Sequence, residues 1–255
     1  MDIANLINKE QFFVGFPTEI DNLCKVYPVT LREIARVGAK NFYSYLNLFT
    51  LEEEDIDEFL KQQGIEQKLT PFQFTLINAS NDKQYLDNLQ EAFKFFLHED
   101  KITILEDNEA IVLGELSEER LIMEDSFKAI CTIISKQNMV QRSSEEERMN
   151  NPSDAKAAQI IKKIKEGRKI REKNKNSDLD FVDLVASLAA KANGLNALNV
   201  WDLTYYAFND QFKRMQMIEE YDNARQSILA GADPKKVKIE YWMKPIENEN
   251  HKGGK

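Results

Sequence analysis

The chain has 255 residues, of which 42% are hydrophobic and 10% aromatic, with a formal net charge of −9. That is enough apolar matter for one large core or two ordinary ones, and it excludes a wholly disordered chain. No run of about 18 uncharged apolar residues occurs, so no membrane-spanning helix is expected.

The opening MDIANLINKE lacks the basic start and small-residue cleavage site of a secretory signal, and the expectation is a soluble cytoplasmic protein. Cys24 and Cys131 stand far apart without neighbouring metal-ligand residues; both read as buried small hydrophobes, with no disulfide and no zinc site. The charge is segregated. Residues 1–155 hold 15 Lys/Arg against 29 Asp/Glu (−14), residues 156–175 hold 9 against 2 (+7), and residues 176–255 hold 10 against 12 (−2). An acidic body, a basic bridge and a nearly neutral remainder form a modular pattern.

In chain order, Thr30-Leu-Arg-Glu33 and Thr50-Leu-Glu-Glu53 each fit a capping box and predict helices from Leu31 and Leu51. Gly64 supplies a stop for the second, and Thr70 before Pro71 marks a further start. From Asp82 to about His98, Tyr85, Leu86, Leu89, Ala92, Phe93, Phe95, Phe96 and Leu97 recur mostly at helical spacing and predict a core helix. Alternation at Ile102, Ile104, Ile111 and Leu113 around Asp107-Asn108 predicts one β-hairpin. Phe127, Ile130, Cys131 and Ile134 then restore the helical period. The fold class is mainly α with one β-hairpin: a helical module over 1–140, a linker and basic helix over 141–176, a small helical module over 177–246 and a disordered tail over 247–255.

Within the second module, Leu179, Val182, Val185 and Leu188 share one face, with Gly194 as the stop. One long helix of about 30 residues is expected from Asn199, with Leu198 and Leu203 as a hydrophobic staple, to Gly231. Trp201, Tyr205, Phe208, Phe212 and Met215 step by four, three, four and three along it as one seam; Met217, Tyr221, Ala224 and Ile228 form another. A short neighbouring helix and an expected strand at KVKIEYWMKPI cannot cover both. The bland reading is core packing. The functional one is a partner-binding stripe at Trp201, Tyr205, Phe208, Phe212 and Met215, used for self-association or an apolar client.

Lys162, Lys163, Lys165 and Arg168 read as an electrostatic strap for acidic surface. Interleaved aromatics for base stacking are absent, so nucleic acid is disfavoured as a partner. The acids at 52–58 are distributed around a helix and read as a solvated face. His98 and His251 are the only histidines, and no nucleophile elbow, phosphate-binding glycine loop or two-histidine metal motif occurs. No catalytic, cofactor or metal site is expected, and the chain reads as a non-enzyme.

Trp201-Asp202-Leu203, the Tyr205-Tyr206 pair, Phe212-Lys213-Arg214-Met215-Gln216 and Ala230-Gly231-Ala232 resemble the C-terminal helices of tail assembly chaperones encoded in tail modules of phages of low-GC Gram-positive bacteria. VYPVTLREI, FYSYLNLFTLEEEDIDEFL and TPFQFTLINAS resemble the N-terminal part of the same proteins. The resemblance implies binding to the helical, aggregation-prone tape measure protein, recruitment of tail tube subunits and residence in the host cytoplasm. The alternative is a virion structural or adaptor protein that uses the same long helix as a permanent subunit interface.

Overall fold

The structure is a computed structural model that describes residues 3–105, 109–115, 120–140, 180–234, 236–237 and 239–246. The fold is mainly α, as expected. It resolves into two compact units, the first being Met1–Val140 together with Trp201–Asn209, and the second described within residues 180–200 and 210–246. Trp201–Asn209 therefore belongs to the first unit, where the sequence reading had put it in the second module.

The first unit opens with a 3₁₀ turn at Ile3–Leu6 and α1, Lys9–Val14. The Asn8 side chain accepts from the Glu10 and Gln11 amides at 3.0 and 3.3 Å, and Gly15 at φ 90° closes the helix. A hairpin not anticipated from sequence follows, β1 (Thr18–Ile20) with β2 (Cys24–Val26), in register Thr18 to Val26 and Ile20 to Cys24. Its strands are only three residues long, too short for a legible alternation.

α2 (Leu31–Val37) starts from the predicted box: the Glu33 amide donates to Thr30 Oγ1 at 3.2 Å and the Thr30 amide to Glu33 Oε2 at 2.7 Å. The Thr50 box does not form. Thr50 is the last residue of α3 (Ala39–Thr50), its hydroxyl donating to the Leu46 carbonyl at 3.2 Å, and α4 (Glu53–Gln62) begins one turn later with Glu52 and Asp55 as its capping pair. A Thr that can bond back into the preceding helix is no longer available as a cap. α5 (Pro71–Asn81) and α6 (Lys83–Leu97) start as predicted, on Thr70 and Asp82, and α6 stops where His98 turns left-handed at φ 58°.

The predicted hairpin is β3 (Ile102–Leu105) with β4 (Ala110–Leu113); its Asp107-Asn108 turn lies outside the described residues. β5 (Leu121–Ile122) pairs on the other side of β4, so the sheet has order β3-β4-β5. β4 is buried on both faces, which is why its run AIVL shows no polar alternation.

α3 lies against α6 and α7 (Glu124–Gln137), and α5 packs on the same pair. Between them Phe49 sits with its ring 5.4 Å from Phe93, 5.7 Å from Phe96 and 6.2 Å from Phe127, and Phe72 extends the cluster at 5.2 Å from Phe127. All five rings are buried. β2 is tied to this core at its C-terminal end: the Tyr27 amide donates to the Phe96 carbonyl at 2.9 Å and the buried Gln137 amide group to the Val26 carbonyl at 3.1 Å. Cys24 is buried as expected; Cys131 is only half-buried, because α7 turns it to the flank of the face carrying Phe127, Ile130 and Ile134.

The second unit contains α8 (Phe181–Lys191), capped by Asp180, and most of α9 (Tyr205–Leu229). Val185 and Leu188 are buried, but Val182 is 54% exposed; Gly194 at φ 89° follows the helix. α9 has 25 residues, shorter than the 30 expected, and Leu198 at 82% exposure makes no staple. Residues 239–246 form no strand; Tyr241 instead sets its ring edge-on at 5.7 Å from Tyr221.

Phe49→Ala should lower stability by about 3–5 kcal/mol in a denaturant titration, since a buried aromatic leaves a cavity. Val14→Ala, at a residue 63% exposed, should stay within about 0.5 kcal/mol of the parent.

Candidate partner-binding surface

The start of the aromatic helix is set by one threonine. Asn199 does not cap it; its side chain accepts from the Asn196 amide at 2.7 Å and donates to the Gly194 carbonyl at 2.9 Å, closing a local loop. A 3₁₀ turn at Val200–Asp202 follows, and the backbone then extends. Leu31 donates its amide to the Leu203 carbonyl at 2.9 Å and Tyr205 donates its own to Val29 at 2.7 Å, so Thr30 and Thr204 form an antiparallel bridge. Residues committed to a bridge cannot also be helical, and this delays α9 to Tyr205.

Thr204 is buried, and its hydroxyl donates to the Phe12 carbonyl at 3.0 Å while accepting from the Ala207 amide at 3.0 Å. It is at once the N-cap of α9 and a tie to α1. A β-carbon on Gly15 would stand 3.4 Å from Thr204 Cγ2, at a left-handed φ of +90°, so this position also requires glycine. Arg32 adds an ion pair with Asp202 at 2.6 Å.

The sequence-predicted stripe falls in two places. In the first unit, Tyr205 packs edge-on to Phe42 at 5.0 Å and its hydroxyl lies 3.5 Å from that of Tyr43. Tyr206 meets Phe12 edge-on at 5.8 Å, and Phe208, stacked on Tyr205 at 6.1 Å, is only 4% exposed. Phe208 is thus occupied by the chain's own packing, and Tyr205 largely so; Trp201 is half-buried. In the second unit, Phe212 and Met215 are half-buried, and Asp210 takes Arg214 one turn on at 2.7 Å. Lys162, Lys163, Lys165 and Arg168 lie outside the described residues. The sequence reading missed Thr204; a Thr directly before the aromatic run was a cap signal of equal standing to Asn199.

The second unit carries a different candidate surface. Leu198 and Leu229 are each 82% exposed, Met243 62%, Tyr241 55% and Val182 54%. In the same unit Lys191 pairs with Glu219 at 2.6 Å, and the Arg225 guanidinium stands 5.6 Å over the Tyr221 ring. Polar links of this kind hold a scaffold while leaving apolar side chains facing water. Among the described residues no group of three His, Cys, Asp or Glu is placed to hold a metal ion, and no helix is long and apolar enough to cross a membrane.

A family model described as the YomV second domain, a phage-associated family, matches residues 172–247. No curated protein and no solved structure matches the chain.

Burial pushes the Cys24 thiol up to about 12, with Glu99 adding to the rise, and desolvation followed by the Tyr43 hydrogen bond raises the Tyr205 phenol. Both groups are neutral when folded, so the unfolded chain releases these protons first. The stability they contribute is complete below pH 9, the ordinary thiol value, and falls as pH climbs towards 12. Denaturation midpoints measured between pH 8 and 11 should therefore decline with pH. In the same assay at pH 7, Thr204→Val should cost about 1–3 kcal/mol, from a lost cap and an unpaired Phe12 carbonyl. Thr204→Ser should recover most of it.

Proposed function

We propose that the chain is a phage tail assembly chaperone: a non-enzymatic protein that binds the helical tape measure protein in the host cytoplasm and aids assembly of the tail tube around it. The observation that carries this reading is the exposed apolar set Leu198, Leu229, Met243, Tyr241 and Val182, which falls within the stretch matched by the phage-associated family. Apolar side chains held on a helical scaffold suit an apolar helical client, and Met and Tyr adapt to it at low cost. From the predicted stripe, Phe212 and Met215 lie half-buried on α9 in the same unit. The net charge of −14 over residues 1–155 keeps a complex with an aggregation-prone client in solution. The resemblance of both halves of the chain to tail assembly chaperones supplies the choice of client.

The test joins a binding assay with a census of particles. The purified chain should retain the tape measure protein in a pull-down. Leu198→Ser with Leu229→Ser and Met243→Ser should weaken retention at least about tenfold, the scale of a lost apolar hot spot. Mass spectrometry of mature virions should find the chain absent. Presence at a fixed copy number, with no tape measure retained, would replace this reading with that of a structural adaptor.

A further inference from the structure

α4 hides only part of its apolar surface. Ile56 and Leu60, one turn apart, are buried, whereas Phe59 lies at the edge of that face, 49% exposed, its ring meeting Phe74 of α5 edge-on at 6.0 Å. Phe74 is half-buried, and Ile77, one turn further along α5, is 45% exposed. Ile65, just past the end of α4 with its amide on the Leu60 carbonyl at 2.9 Å, is 44% exposed. An apolar strip thus crosses from α4 to α5, wholly within the first unit.

The charge beside the strip has one sign. Residues 52–58 hold six Asp/Glu and no Lys/Arg, and no cation occurs in the chain between Lys40 and Lys61. Asp55 lies one turn from Phe59 on the same side of α4; Glu53 and Glu54 are exposed on the first turn, and Asp57 is half-buried. A helix N-terminus favours acids on its first turn, but Asp57 falls beyond that turn and four residues from Glu53, where like charges repel. Among the described residues none of Glu53, Glu54, Asp55 and Asp57 stands in an ion pair.

These two properties select an occupant. A second copy of the chain would bring another acidic body, of net charge −14 over residues 1–155, and like charge opposes that pairing. An uncharged apolar segment would cover the rings and drive water from the neighbouring carboxylates without replacing it, at a cost. A helix with apolar side chains at i, i+3, i+4 and i+7, flanked by Lys or Arg, satisfies the rings and the acids together. A strip built across two neighbouring helices also takes a third by the same packing of side-chain ridges that joins the first two.

We infer that the Phe59–Phe74–Ile77 strip is a docking surface for a basic amphipathic helix of a second protein. The apolar stripe of that helix lies on Phe59, Phe74 and Ile77, and its cations meet Glu53, Asp55 and Asp57. The dock belongs to the first unit alone, and client binding through the second unit neither requires nor excludes it.

The full chain is titrated at low salt with a synthetic leucine–lysine helix of about five turns that carries leucine at i, i+3, i+4 and i+7. Two further peptides serve as controls, one of the same composition in scrambled order and one with glutamate in place of lysine. The first should bind at least about tenfold more tightly than the scrambled peptide, and the glutamate peptide should not bind. Phe59→Ser with Ile77→Ser should weaken the first by at least about tenfold, the scale of a lost apolar hot spot. Glu53→Gln with Asp57→Asn should weaken it about threefold and flatten its dependence on salt, since the screening length falls from about 10 Å at 0.1 M to about 3 Å at 1 M. A melting curve checks that each variant is folded. A benzophenone amino acid in place of Phe59, which keeps an aromatic ring there, should cross-link to the peptide on irradiation and decides the matter should the serine variant unfold. Equal affinity for the three peptides, binding unchanged in the folded serine variant, or no binding at all overturns the proposal. So do adducts that form with a second copy, or with the chain itself, in place of the peptide.

Discussion

The hydroxyl of Thr204 is the point through which the two ends of the sequence meet. Val140 and Trp201 are separated by 60 residues, yet Trp201–Asn209 belongs to the first unit because Thr204 ties to Phe12 and bridges Thr30. Main-chain bonds on either side of that bridge leave the extended backbone fully paired in a buried position, where an unpaired amide or carbonyl would cost about 1–3 kcal/mol. With Thr204 as cap, Tyr205 is carried onto Phe42, and Phe208 stacks on Tyr205.

That constraint changes the meaning of an aromatic helix. A stripe of large rings along a helix has no intrinsic function; it is core where other elements reach it and surface where none does. The first unit is rich enough in phenylalanine to reach Phe208 and most of Tyr205. The second unit, built on α8 and the later turns of α9, is much smaller, and buries Val185 and Leu188 while leaving Leu229, Tyr241 and Met243 in water. Small units cannot bury all their apolar surface, because the ratio of area to enclosed volume rises as size falls. Among the described residues the second unit thus exposes Leu198 and Leu229 more fully than any large apolar side chain of the first.

The charge pattern acts on a longer scale. Carboxylates on α4 and cations in the 156–175 segment lie about a hundred residues apart in one chain. Individual exposed ion pairs such as Lys25–Glu19 at 2.5 Å contribute little, because water screens them and two long side chains must be held still. The pair Arg120–Glu99, two-pronged at 2.6 and 3.2 Å and largely shielded from water, is of another kind, clamping β5 to the end of α6. Local stability thus rests on a few shielded contacts more than on the many exposed charges.

The sequence by itself determined the elements whose signals are local. Thr30 with Glu33, Thr70 with Pro71, Asp82, Gly64 and Gly231 mark helix ends through hydrogen bonds and φ values that span only a few residues. The apolar period of α6 and α7 identified the core faces for the same reason. The tertiary structure alone decided the rest: that AIVL is a central strand, that the β1–β2 hairpin exists, and that the aromatic helix starts at Tyr205. The stripe's split between core at Phe208 and half-exposed positions at Phe212 and Met215 belongs in this second group. Each depends on a partner distant in the chain, Phe12 for Thr204 and Phe42 for Tyr205, and no local pattern of polarity carries the identity of such a partner.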